Sequence, residues 1–394
     1  MNSNSPKSWL GDLKNDLLQR QTVSLYRQLL PCDADGPYLT RNGKKLLNLA
    51  GNDYLALNNH PQLKEAAITA IEQHGVGSGA SKLVTGHSCE VHQLEQQFAR
   101  FKHAPAAVIF STGYMANLGV LTSLANQDDV IFIDKLTHAS LIDAARFCGA
   151  TVRVFPHNNT EKLERLLERY ADARRRLIVT DSVFSMDGDV ADLPKLCALA
   201  AKYDAITVVD EAHGTGVLGE HGSGLCELQN VTDQVDIVIS TASKALGSLG
   251  GIVTAQEPVI KTLINHARSL IYTTAPPPSQ VACIAAALDA ITSEPQRRIR
   301  LAELSKRVRE AVMQKGFVLP ATTVQTPIIP LITGESDAAI ALSTHLNQQG
   351  IHAPAIRPPT VAPNAARVRL SLRCDLTDEH VDQLIKAFAS APKA

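Results

Sequence analysis

The chain has 394 residues, with 45% hydrophobic and 20% charged side chains and a formal net charge of −1. That composition excludes a disordered chain, and the balanced charge argues against a nucleic-acid partner. At roughly 150 residues per domain, the length fits two to three domains, or one large domain with a smaller companion. Apolar runs such as Ala106–Phe110 and Ile328–Ile332 fall far short of the roughly 20 residues of a membrane helix, so no membrane partner is expected. The start, Met1–Asp12, lacks a positive region followed by an apolar stretch, so no secretory signal is expected. Cys32, Cys89, Cys148, Cys197, Cys226, Cys283 and Cys374 are odd in number and form no C-x-x-C. They predict reduced, mostly buried thiols, a cytoplasmic protein and no metal site.

The opening segment to about Arg27 is polar and helix-like, with Leu10, Leu13, Leu17 and Leu18 on it, and Pro31–Pro37 breaks it. Short apolar runs then recur at Ala106–Phe110, Val130–Ile133, Thr151–Phe155, Leu177–Thr180, Ile206–Val209, Ile237–Ile239 and Gly251–Ala255. Helical composition fills Tyr114–Ala125, Ser140–Cys148, Glu161–Arg169 and Leu193–Lys202. This alternation predicts an α/β fold with a mainly parallel seven-stranded sheet flanked by helices. The link Ser240–Gly250 is too short for a parallel crossover, so Gly251–Ala255 is expected to run antiparallel. Pro276–Pro278 reads as a boundary. Helices at Ser279–Thr292, Glu294–Gly316 and Ser336–Gln349, with strands at Gln325–Thr333 and Arg367–Leu372, predict a smaller C-terminal α/β domain. The expected division is an N-terminal segment 1–45, a large domain 46–275 and a small domain 276–394.

Four strand ends carry reactive residues, and ligands of open α/β sheets bind outside such ends. Ser111-Thr112-Gly113-Tyr114 leads into a helix whose free N–H groups suit a phosphate, or is simply a cap and turn. Asp210 ends an apolar strand with His213 three residues on. The same stretch holds two lookalikes. Asp210–His213 spells a D-E-A-H box, but the phosphate loop such ATPases need is missing. Gly214-x-Gly216-x-x-Gly219 spells a dinucleotide fingerprint of an oxidoreductase, but no helix start follows it. Lys244 stands among Thr241, Ser243 and glycines; away from water such an amine becomes a nucleophile. His138, after Val130–Ile133, either caps a helix or faces a planar ring. Together a phosphate nest, a strand-end carboxylate, a flat side chain and an isolated lysine are the parts that pyridoxal 5'-phosphate requires. His87 and His92 show no useful metal spacing, Trp9 reads as packing, and Arg174–Arg176 as a solvated turn.

With Asn52-Asp53-Tyr54-Leu55, Gly77-Ser78-Gly79-Ala80-Ser81, Val183–Asp189 and Ala355–Val361 added, the chain resembles the α-oxoamine synthases over nearly its whole length. These are fold-type I pyridoxal-phosphate acyltransferases that join an amino acid to an acyl thioester and release carbon dioxide. The resemblance implies that Lys244 bonds to the cofactor and acts as base, while Asp210 pairs with the pyridine nitrogen. It places His213 and Ser185 near the phenolic oxygen, His138 on the ring, and Gly113, Tyr114 and Thr241 at the phosphate. A protonated His138 or His213 would steady developing oxygen charge. Arg357 would grip the amino-acid carboxylate, with Thr360, Arg27 and His138 as further substrate contacts. The Arg357–Val361 block looks like that of members using L-alanine and a pimeloyl thioester, on coenzyme A or acyl carrier protein, rather than of members such as glycine C-acetyltransferase. A homodimer with an interfacial active site is also implied.

Overall fold

The computed structural model describes residues 8–23 and 25–391. Its centre is a seven-stranded sheet whose strands each match one of the seven apolar runs, extended by at most two residues at an end. From edge to edge the order is Ala106–Phe110, Gly251–Ala255, Ile237–Thr241, Ile206–Asp210, Arg176–Asp181, Val130–Asp134 and Thr151–Phe155. Gly251–Ala255 pairs antiparallel with both neighbours, and the remaining pairs are parallel. Six strands therefore deliver their carboxyl ends to one edge of the sheet.

The strands read as unbroken apolar runs because both faces are covered. Alternate side chains enter opposite cores. Ile109, Phe132, Ile178 and Ile252 join one; Val108, Phe110, Ile131, Ile133 and Val179 join the other. Local caps set the helices between them. Thr112 accepts from the Met115 N–H to open Gly113–Leu124, and His138 accepts from Ser140 to open Ala139–Phe147. Each side chain satisfies an otherwise orphaned helix donor.

Two small sheets complete the fold. One orders Ile328–Gly334, Ala366–Ser371 and Ala355–Ile356 antiparallel. The other joins Asp33–Asp35, Tyr38–Arg41 and Lys44–Asn48 to Ile351–His352, so both ends of the chain share it. The helix Pro278–Ser293 packs on Pro61–His74 and Cys89–Phe101. A final helix, Asp378–Ala389, opens with a Thr377–His380 capping box. No described helix is long and apolar enough to cross a membrane.

Two expectations need correction. Trp9 does not pack: the helix Ser8–Thr22 buries none of its residues, and Trp9 is 54% exposed. Only Cys197, Cys226 and Cys374 are buried, because Cys32 lies in the segment before the first strand and Cys89 on a solvent-facing first turn. Arg174 and Arg175 are exposed just before a strand, as expected of a solvated turn, and they also fasten it: Arg174 grips buried Asp129 through two bonds of 2.9 and 2.6 Å, and Arg175 donates to the Leu124 carbonyl.

Candidate active site

A cavity of about 250 Å³ opens at the carboxyl edge of the sheet. Gly113, Tyr114, His138, Ser185, Asp210, His213, Thr241 and Lys244 all line it. They come from five separate strand ends, which explains how residues 131 positions apart meet. Asp134 ends the strand that leads to His138 and is buried.

Asp210 is buried where its strand ends. Its Oδ1 accepts from the Ala212 N–H at 2.8 Å, and its Oδ2 accepts from the Asn117 amide at 2.8 Å. Asn117, one helical turn inside Gly113–Leu124, also donates to Ser140 Oγ at 2.7 Å. Ser140 therefore directs its own hydrogen to His138 Nδ1, 2.7 Å away. That contact leaves the His138 ring proton on Nε2. The His138 backbone N–H donates to Asp181 Oδ2 at 2.7 Å, so His138 both caps a helix and faces the cavity.

Lys244 is half-buried, and its Nζ lies 2.9 Å from His213 Nε2. Burial lowers the ammonium to about pKa 8 against the opposing pull of Asp210 and Asp181, with Arg369 adding to the depression. Burial also pushes His213 well below the usual imidazole range, reinforced by Lys244. A neutral His213 thus accepts from Lys244 and carries its proton on Nδ1, 2.7 Å from the Tyr54 hydroxyl. Tyr54 passes its hydrogen to Asn52 Oδ1 at 3.2 Å, which also receives Arg369 at 3.1 Å. Burial lowers His138 as well, Asp210 opposing it. Burial thus opposes the expected histidinium form at both rings.

Ser185 sits on a loop held from three sides. Arg369 Nε donates to the Ser185 carbonyl at 2.6 Å. Arg367 binds Asp187 and the Met186 carbonyl. His157 bridges Asp189 at 2.7 Å and Asp134 at 3.0 Å. The two acids raise His157 to about pKa 10 although burial opposes it.

The remaining substrate candidates form a separate group outside the cavity lining. Arg27 Nη2 donates to Thr360 Oγ1 at 3.3 Å, both exposed. The Thr360 N–H binds the Arg357 carbonyl at 3.1 Å, and Arg357 is half-buried just after Ala355–Ile356.

The dinucleotide and D-E-A-H readings fail on the structure. Gly214–Gly224 forms turns, and the next helix is only Leu225–Leu228. Glu211 is structural, accepting from the Leu225 and Cys226 N–H groups at 3.0 and 2.8 Å. Asp181, Asn117, Ser140, Tyr54 and Arg369 escaped the sequence reading. Asp181 alone had a usable signal, since it ends an apolar strand as Asp210 does.

The donor set fits a flat, phosphorylated pyridine aldehyde. Free N–H groups at the start of Gly113–Leu124 and the hydroxyls of Thr241 and Ser243, 2.8 Å apart, suit the phosphate. A Cβ at Gly113 would stand 3.4 Å from Thr241 Oγ1 and fill that cradle. A buried carboxylate and an amine with lowered pKa complete the set.

The family model for aminotransferase class I and II matches residues 44–388. The 8-amino-7-oxononanoate synthase of Nitrosomonas europaea is 45% identical over 379 residues, 95% of this chain and 97% of that one. The solved serine palmitoyltransferase of Sphingomonas wittichii superposes with a TM-score of 0.91 at 31% identity, covering 97% of each chain. The solved 8-amino-7-oxononanoate synthase of Francisella tularensis gives 0.76 at 30% identity, over 87% of this chain and 97% of that one. The chain belongs to the α-oxoamine synthase group of fold-type I pyridoxal-phosphate enzymes. It uses pyridoxal 5'-phosphate and catalyses the decarboxylative condensation of an amino acid with an acyl thioester.

Proposed function

We propose that the chain is an 8-amino-7-oxononanoate synthase of biotin synthesis, joining L-alanine to a pimeloyl thioester. The observation that carries this reading is 45% identity over 95% of the chain to a relative of that name, joined to the Arg357–Val361 block. Bound pyridoxal phosphate supplies an electron sink for the pair left at the amino acid's α-carbon.

In this reading Arg357 holds the alanine carboxylate by a charge-assisted pair. Lys244 Nζ takes the α-proton; a pKa of about 8 keeps part of it neutral near working pH. Asp210 pairs with the pyridine nitrogen, and Asn117 and the Ala212 N–H hold its two oxygens in place. The alanine α-carbon bonds to the thioester carbonyl carbon and the thiolate leaves. The bond to the carboxylate then breaks, giving carbon dioxide, and the carbon takes back a proton from Lys244. The His138 ring Nε2–H serves as a donor near developing oxygen charge, while His213 accepts from Lys244. Thr360 and Arg27 act at the substrate mouth.

We further propose a homodimer with an active site between subunits. The exposed apolar residues Leu10, Leu13, Leu17 and Leu18 support a covering partner. Seven free cysteines support a cytoplasmic enzyme.

A second reading has its own observation. The superposition on a serine palmitoyltransferase, 0.91, exceeds that on the Francisella synthase, 0.76. That favours another member of the group, using serine or glycine and a different acyl thioester. The test is a product assay by mass spectrometry, offering alanine, glycine or serine with acetyl, succinyl, pimeloyl or palmitoyl thioesters. A product only from alanine and pimeloyl thioester supports the first reading. A product from another pair overturns it and keeps the cofactor chemistry.

A further inference from the structure

Away from the cavity, three ligating side chains converge where no metal spacing is readable in the sequence. His92 and Glu95 lie three residues apart on the helix Cys89–Phe101 and share one face. His87 precedes the helix N-cap Ser88, so helical spacing does not govern it. Folding brings one ligating atom of each within 4.8 Å of the others. The two imidazoles stand edge to face, 5.6 Å between centroids.

Glu95 is anchored for such a role. Lys82 Nζ and the Ile109 N–H both donate to its Oε1. Its Oε2 faces His87, 3.9 Å from Nδ1. The Gln96 amide nitrogen lies 3.0 Å from His92 Nε2 and donates to its lone pair, so a metal would displace that amide. Burial, with Lys82 and His92 nearby, holds His87 below the usual imidazole range despite Glu95.

We propose that His87, His92 and Glu95 form a three-ligand site for a divalent transition-metal ion of the zinc or cobalt type, with an open position for water. The site is empty. Two imidazoles and one carboxylate suit zinc or cobalt, whereas magnesium and calcium demand oxygen-rich sets. Ligand atoms around a tetrahedral ion stand about 3.4 Å apart, so the rings must close by up to about 1.4 Å. Both histidines are exposed, so His87 can turn and His92 can turn once Gln96 releases it, while Glu95 stays fixed. The ion would share the Glu95 carboxylate with Lys82. It would thereby touch the group that holds the strand Ala106–Phe110, which leads to the Gly113 turn.

The test is a Co²⁺ titration of chelator-treated holoenzyme, read by visible ligand-field absorption and by calorimetry. His87→Gln, His92→Gln and the double variant are titrated alongside. Because both side chains are exposed, the variants should keep wild-type circular dichroism and cofactor absorption. The expected result is one ion per chain in the wild type, at least 10-fold weaker binding in each single variant, and loss of the absorption band in the double variant. No stoichiometric binding by the wild type overturns the proposal. So does an unchanged band in the double variant, which would place the ion on exposed Cys32 or Cys89, or on the cofactor.

Discussion

Asp181 and Asp210 are in-register partners at the carboxyl ends of adjacent parallel strands. Two buried acids so placed do not ionise alike. Burial, and then the neighbouring Asp210, push the Asp181 carboxyl well above its ordinary range. Asp181 is therefore the protonated member, and its Oδ2 still accepts the His138 N–H. An amide mimics that state. Asp181→Asn should keep turnover within about 3-fold, while Asp210→Asn should lose at least about 100-fold, about 2.7 kcal/mol in barrier. Steady-state kinetics of the two variants check the contrast; equal losses would reverse the assignment.

Lys244 should behave as an amine of pKa about 8 in the cofactor-free protein. Its carbamylation by cyanate, followed by peptide mass spectrometry, should rise through that pH rather than near 10.5. In the holoenzyme borohydride should fix the cofactor to Lys244. Lys244→Ala should fold, bind cofactor without a covalent link and escape labelling.

His157 ties Asp134 to Asp189 beside the Ser185 loop. Its pKa in the folded state, about 10, exceeds the ordinary 6.5. The folded state thus holds an extra proton between those values, so this stabilisation is complete below about pH 6.5 and fades as pH rises toward 10. His157→Gln should cost about 3 kcal/mol at pH 6, the scale for breaking a buried charged pair. The deficit should shrink by pH 10. Urea unfolding at both pH values measures it.

Gly251 begins the antiparallel strand directly behind the phosphate turn. A Cβ there would lie 2.3 Å from the Thr112 carbonyl oxygen, a backbone atom with little room to move. Gly251→Ala should cost about 1–3 kcal/mol of stability, the usual range for overpacking. It should also weaken pyridoxal phosphate binding at least 10-fold, read by fluorescence titration. Unchanged affinity would separate Gly251 from the cradle.

Legibility followed physical range. The strands were readable because burial on both faces writes an unbroken apolar run. Asp210 and Lys244 were readable because each interrupts such a run at its end. Tyr54 was not: it meets His213 across 159 residues, and only folding joins them. Asn117 reaches Asp210 across 93 residues from a helix that reads as ordinary. The pairing of His87 and His92 with Glu95 escaped because one ligand lies outside the helix whose periodicity was being read. The downward shift of His138 and His213 depends on burial, which residue type does not reveal.

The antiparallel strand has a consequence for the order of synthesis. Ala106–Phe110, which leads into the phosphate turn, touches the sheet only through Gly251–Ala255. During translation that early strand waits, unpaired, while residues 111–250 emerge. The other five parallel strands are complete before its bridge exists. The cradle for the cofactor's phosphate is therefore among the last parts of the sheet to close, so a ribosome-bound chain ending before residue 255 cannot yet retain the cofactor through it.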